Sequence, residues 1–136
     1  MAVAFPAPEL ILYIEHSTFG GERELRSEGG TLTCSLQACE GMATDSVTPP
    51  PEAWQQLWAM LEYLRAWDWS GEYVDPTACD AARWSLEMRW QGKAVTASGC
   101  EKWPGEPGQF ARFLRVLCEM AACECAPPVA PPSPVV

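Results

Sequence analysis

The run Arg83-Trp-Ser-Leu-Glu-Met-Arg-Trp-Gln91 constrains the fold more than any other stretch of this chain. Trp84, Leu86, Met88 and Trp90 share one parity, and Arg83, Ser85, Glu87, Arg89 and Gln91 share the other. Successive side chains on a strand point to opposite sides, so this period of two predicts a strand with one buried and one polar face. Gln91-Gly92 predicts a tight turn, with Lys93 to Cys100 returning as the second arm of a hairpin. The alternation recurs in Thr31-Leu-Thr-Cys-Ser-Leu-Gln-Ala38, where Leu32, Cys34, Leu36 and Ala38 are expected to face a core. Thr31, Thr33, Ser35 and Gln37 then face water or a partner. Residues 9–18, rich in β-branched and aromatic types, read as an earlier strand, with Leu10, Leu12, Ile14 and His16 on one alternating face. Phe19-Gly20-Gly21 and Glu28-Gly29-Gly30 are turn signals, and the segment between them carries charge on alternate positions at Glu22, Glu24 and Arg26. Three strands in a meander are expected.

Helical periodicity appears twice. A loop from Cys39 to Val47 leads to Thr48-Pro49-Pro50-Pro51, with Thr48 as the expected N-cap and prolines in the first turn, where their missing N–H groups cost little. Trp54, Leu57, Trp58, Leu61 and Leu64 then recur at spacings of three and four, predicting an amphipathic helix that ends near Trp67. After the break Trp103-Pro-Gly-Glu-Pro-Gly108, the residues Phe110, Phe113, Leu114, Leu117 and Met120 or Ala121 form a second stripe. The order β-β-β-α-β-β-α defines an α+β chain, with an antiparallel sheet of four to five strands and both amphipathic helices packed on one face. The other sheet face would carry Thr31, Thr33, Ser35, Gln37, Arg83, Ser85, Glu87 and Arg89. The two halves share an outline of hairpin, Pro-rich break and aromatic-led helix, which suggests a duplication. At 136 residues the chain has room for one core, so a single domain over 1–125 is expected, with a disordered Pro-rich tail over 126–136.

Eighteen acidic residues against nine basic give a net charge of −9, which argues against nucleic-acid binding and for a partner with a basic surface. Residues 1–48 hold seven acids and two bases, so the N-terminal half of the sheet is expected to be the more acidic surface. No apolar run approaches the 18 or so residues of a membrane span, and no membrane contact is expected. The start, Met1-Ala-Val-Ala-Phe-Pro-Ala-Pro8, lacks the basic region of a secretory signal, so the expected location is cytoplasmic. There the seven cysteines should be mostly thiols.

Each candidate for chemistry has an ordinary structural reading beside it. Cys34, Cys39, Cys118, Cys123 and Cys125 lack the two-residue spacings of zinc knuckles and read first as core or incidental thiols. Metal binding or oxidation at Cys118, Cys123 and Cys125 is the sharper alternative. His16 is the only imidazole and would form a dyad with Cys34 only if the first and third strands were adjacent. Glu72, Asp75 and Asp80 cluster around Asp75-Pro76, where turn chemistry competes with hydrolytic or calcium-binding carboxylates. There is no phosphate-binding glycine loop, no His-Glu-x-x-His and no Gly-x-Ser-x-Gly. Trp54, Trp58, Trp84 and Trp90 sit at core periodicities. Trp67, Trp69 and Trp103 lie in extended or turn segments, where partial exposure would suit partner contact.

Trp69, Tyr73, Asp80, Trp84, Gly92, Lys93, Gly99, Trp103 and Pro104 together resemble a pattern of small uncharacterised bacterial proteins. That pattern has an aromatic segment, an Asp-Gly-x-x-Trp strand start, Gly-Lys, and a Gly followed by aromatic-Pro; here Ala81 replaces the glycine after Asp80. The order of elements, with Gly20-Gly21 after the first strand, is also similar to the emfourin group of metalloprotease inhibitors. That second resemblance implies a protein-binding inhibitor; neither implies a catalytic residue. The sequence therefore leads to a non-enzymatic protein-binding module of inhibitor, immunity or assembly type, with no cofactor. Its candidate partner contacts are Trp103, Trp69, Thr33, Ser35, Gln37, Glu87 and Arg89. The alternative is a small metal- or thiol-dependent protein or hydrolase that uses the loop carboxylates or the C-terminal cysteines.

Overall fold

A computed structural model describes residues 5–16, 21–38, 41–74, 83–100 and 102–121. Seven strands form one mixed sheet: β1 (Leu10–His16), β2 (Glu22–Glu28), β3 (Thr31–Ala38), β4 (Gly41–Val47), β5 (Gly71–Val74), β6 (Arg83–Trp90) and β7 (Lys93–Cys100). Helix α1 (Pro51–Tyr63) and a 3-10 helix (Ala66–Asp68) separate β4 from β5, and α2 (Gln109–Met120) follows β7. The spatial order is β4-β3-β2-β1-β6-β7-β5.

The α+β class and the two helices agree with the sequence, but the sheet is larger than four to five strands and is not wholly antiparallel. Gly41–Val47, expected as loop, pairs antiparallel with β3. Gly71–Val74 adds a short strand parallel to β7, with Tyr73 opposite Gly99. The halves also differ in kind. The first is a four-strand meander, the second a hairpin with a parallel strand at its edge.

Two hairpin turns form where glycine predicts them. Gly29 and Gly30 both take positive φ, as do Gln91 (φ 47°) and Gly92 (φ 80°). Paired positive φ angles match the twist of the flanking strands. At Gln91 the strain is offset locally, because its N–H donates to the Glu9 carboxylate at 3.1 Å.

Both helices pack on the face that carries Ile11, Tyr13, Leu25, Leu32, Cys34, Trp84, Leu86, Met88, Trp90 and Val95. Trp54 and Leu61 of α1 and Phe110, Phe113, Leu114 and Leu117 of α2 close over it. Fully burying such a side chain is worth about 1.5–3 kcal/mol, so this one layer supplies most of the stabilisation. Aromatic edges fix the docking: Trp54 meets Trp90 edge-on at 5.9 Å, and Trp84 meets Phe110 at 4.8 Å between ring centres. The N-terminal segment joins in, with the Trp90 indole N–H donating to the Pro6 carbonyl at 3.0 Å.

Helix α1 is shorter than its periodicity predicts. Its N-cap is Pro50 rather than Thr48, and no side chain caps it. After Leu64, Arg65 adopts the left-handed conformation (φ 57°) and turns the chain into the 3-10 helix. No helix among the described residues is long and apolar enough to cross a membrane. The tail over 126–136 lies outside the described residues.

Candidate functional site

Among the described residues no helix packs on the second face of the sheet, and the strand registers determine what it presents. Leu12 lies between Arg26 of β2 and Glu87 of β6. Ile14 lies between Glu24 and Ser85, and His16 between Glu22 and Arg83. Further out, Arg26 faces Thr33, Glu24 faces Ser35 and Glu22 faces Gln37. The open face thus has a half-buried apolar line, Leu10, Leu12 and Ile14, down its centre and polar rows on both sides.

Thr33, Ser35, Gln37, Glu87 and Arg89 all stand on this face, as their parity predicts. Thr33 and Ser46 share a hydroxyl hydrogen bond at 3.1 Å, and the Thr44 hydroxyl donates to Ser35 at 3.4 Å. Arg26 is held by Glu24 at 3.5 Å and Glu28 at 3.2 Å. Arg83, Glu87 and Arg89 form no ion pair among the described residues.

A hollow of about 350 Å³ opens on this face beside Leu12. Glu72, Ser85, Glu87, Thr96 and Ser98 line it with Leu12 as an apolar wall, while Leu86 and Ala97, whose side chains are buried on the helix face, border it from the backbone. Its cause is a difference in side-chain length. β7 offers only the small residues Thr96 and Ser98 between the longer Glu72 on one flank and Glu87 and Leu12 on the other.

The tryptophan candidates separate. Trp69 is in the core, against Phe110 and Phe113 at 5.4 and 5.9 Å, and is not available as an exposed contact. Trp103 is half-buried against the core. Several residues that carry the resemblance converge on one structural knot. The Tyr73 hydroxyl donates to the Trp69 carbonyl at 2.9 Å, and the Trp84 indole N–H donates to the Lys102 carbonyl at 2.9 Å. Tyr73 stacks on Trp84 with ring centres 6.1 Å apart, and Pro104 is buried. Trp69, Tyr73, Trp84 and Pro104 of that pattern thus have packing roles, while Gly92 turns the hairpin and Lys93 pairs with Glu62 at 2.8 Å.

The His16–Cys34 dyad does not form. β2 separates β1 from β3, His16 is on the open face 3.2 Å from Glu22, and Cys34 is buried on the helix face. Cys34 is disulfide-bonded, which corrects its reading as a thiol. Cys100 and Cys118 are buried and take no part in a disulfide. Burial pushes the Cys118 thiol above its ordinary pKa, against the direction that makes a nucleophile or metal ligand. Asp75, Asp80, Cys123 and Cys125 lie outside the described residues. Among the described residues no group of three or more His, Cys, Asp or Glu side chains could hold a metal ion.

One polar cluster was invisible in the sequence. Arg23, on the helix face of β2, is only 5% exposed and bonds Glu15 at 2.8 Å, with the Cys118 sulfur 3.9 Å away. Tyr13 beside it is fully buried; among the described residues its hydroxyl meets no partner at full hydrogen-bond geometry, with the Arg23 guanidinium its nearest polar influence. Burial, reinforced by the Glu15 carboxylate, pushes the phenol's pKa far up.

The described residues together define a two-layer α+β module whose seven-stranded sheet carries both helices on one face. No family model matches the chain, and no curated protein is significantly similar to it.

Proposed function

We propose that this protein is a non-enzymatic module that binds another protein through the open face of its sheet. The observation that carries the reading is the half-buried line Leu10, Leu12 and Ile14, bordered by hydroxyl and charged rows on both sides. An apolar centre with a polar rim is the anatomy of a protein–protein contact, and a sheet face without a helix layer leaves that centre open. Thr33, Ser35, Gln37, Glu87 and Arg89 would form the rim, with Trp103 a separate contact at the sheet end. The −9 charge favours a partner with a basic surface, since complementary fields speed encounter and suppress wrong pairings. An inhibitor, as the emfourin-like order implies, an immunity factor and an assembly subunit all fit this mode of action. The cytoplasm remains the proposed location. The disulfide at Cys34 favours a second reading, an oxidising compartment, because such bonds persist there.

The test is affinity capture from native extract, followed by rebinding of the identified partner in purified form. Thr33→Arg/Ser35→Arg should weaken that rebinding at least about tenfold, the effect of roughly 1.4 kcal/mol at an interface. Glu52→Ala, on the exposed side of α1, should leave it unchanged. Equal affinity for wild type and the open-face variant would remove this face as the binding surface.

A further inference from the structure

We infer that the hollow beside Leu12 is the anchor pocket of this face and takes an arginine side chain of the partner protein. The inference rests on the protein-binding reading and specifies the chemistry of its partner. Two carboxylates, Glu72 and Glu87, stand in the lining, and no basic side chain does. Neither carboxylate forms an ion pair among the described residues. Arg89, two positions along β6 from Glu87 on the same face, does not reach it, and Arg26 is already held by Glu24 and Glu28. The negative charge of the hollow is therefore not neutralised from within the described sheet.

Shape and acceptor distribution select among cations. Glu72 on β5 and Glu87 on β6 are separated by β7 and offset by two residues along it, so their backbones lie roughly 12 Å apart. Between them Ser85, Thr96 and Ser98 offer hydroxyl oxygens, so the acceptors are spread around the hollow instead of gathered at one point. An ammonium is a compact point charge and would satisfy one carboxylate. A guanidinium presents five N–H donors in a plane and can address several acceptors at once. The arginine stem would lie along Leu12, where the apolar line of the face meets the hollow, burying methylenes while the head stays among oxygens. The pocket is continuous with the proposed interface, and no other described element covers the half of the face that contains it.

The probe is N-acetyl-arginine amide, titrated into the isotope-labelled protein, with N-acetyl-lysine amide and N-acetyl-glutamate amide as comparisons. The expected result is saturable shifts at the amides of Ser85, Thr96 and Ser98, tighter for arginine than lysine and absent for glutamate. In Glu72→Gln/Glu87→Gln the arginine affinity should fall roughly tenfold, as charge-assisted bonds become neutral ones. Both side chains are at the surface of the open face, so the fold should be unaffected; unchanged far-UV circular dichroism checks this. Shifts that are equal in the Gln variant, no saturable shifts at all, or lysine binding as tightly as arginine would each overturn the inference. Failure of the probe alone, with partner binding still lost in Thr33→Arg/Ser35→Arg, would sink the arginine pocket and leave the protein-binding reading standing. Loss of neither would sink both.

Discussion

Gly99 stands where three groups converge: a Cβ there would lie 2.5 Å from the Tyr73 carbonyl oxygen, 2.6 Å from the Trp84 indole nitrogen and 2.7 Å from the Lys102 carbonyl oxygen. Two of those atoms are backbone and the third makes the bond that ties β6 to residue 102, so none can yield cheaply. Gly99→Ala should cost about 2 kcal/mol by overpacking, read as a lower denaturant midpoint with an unchanged slope. Tyr13 is the opposite case. Its hydroxyl is buried and, among the described residues, makes no hydrogen bond of good geometry, so the native state bears a desolvation cost that the nearby Arg23 only partly offsets and that phenylalanine would avoid. Tyr13→Phe should therefore stabilise the protein by about 1 kcal/mol at neutral pH. The phenol also makes stability depend on alkaline pH. Its pKa is raised by folding, so above the ordinary value of 10.0 the unfolded chain releases a proton that the native state retains. That contribution is present below pH 10 and is lost as pH rises beyond it, so the alkaline decline should be shallower in Tyr13→Phe. Denaturation midpoints at neutral and alkaline pH test both signs. A less stable variant at neutral pH would mean that the hydroxyl is satisfied.

At the level of elements, the alternation in β3 and β6 was legible because each strand buries one face and wets the other, so parity alone places Thr33, Ser35, Gln37, Glu87 and Arg89. β1 was not, because both its parities are apolar: Ile11 and Tyr13 face the helices, while Leu10, Leu12 and Ile14 face out. Only its neighbours decide, through Arg26 and Glu87 across from Leu12, and that register is a long-range fact. β4 reads as Gly-Met-Ala-Thr-Asp-Ser-Val, a loop-like composition that becomes a strand because β3 offers it a free backbone edge. β5 has four residues and pairs in parallel with a strand more than twenty positions on, which no local signal announces. Without β5 the hollow has no Glu72 wall, so the sequence could not show it. The shortness of β5 has a measurable consequence. Its outer anchor is the Tyr73 hydroxyl on the Trp69 carbonyl, which pins the strand to the turn after α1. Tyr73→Phe should remove about 1 kcal/mol locally and speed amide hydrogen exchange in Gly71–Val74 several-fold. The protection of β6 should stay near wild type. Equal loosening of both would show that β5 opens only with the whole sheet.

For the whole molecule, the helices hold one face of the sheet together by packing, and a covalent link at Cys34 adds to it. The aromatic contacts of α1 and α2 fall on β1, β6 and their neighbours: Tyr13 against Phe110, Trp84 against Phe110, Trp54 against Trp90. β3 and β4 lie at the far side of the order, where Leu36 is left 37% exposed and Val47 is half-buried. Cys34 of β3, buried in the core, is disulfide-bonded, so a covalent link starts from this strand. A native disulfide restricts the unfolded chain and is typically worth about 2–4 kcal/mol, a large share of the stability of a domain this size. Reduction should therefore lower the melting temperature by roughly 10 °C or more, at a few degrees per kcal/mol for a domain of this length. Cys34→Ala should reproduce that loss and make the melting temperature independent of reductant. Because the helices hold the other strands, exchange protection should fall first in β3 and β4 and last in β1 and β6. A melting temperature that ignores reductant in the wild type would show that the bond adds nothing to the fold. It would also withdraw the one observation that favours an oxidising compartment.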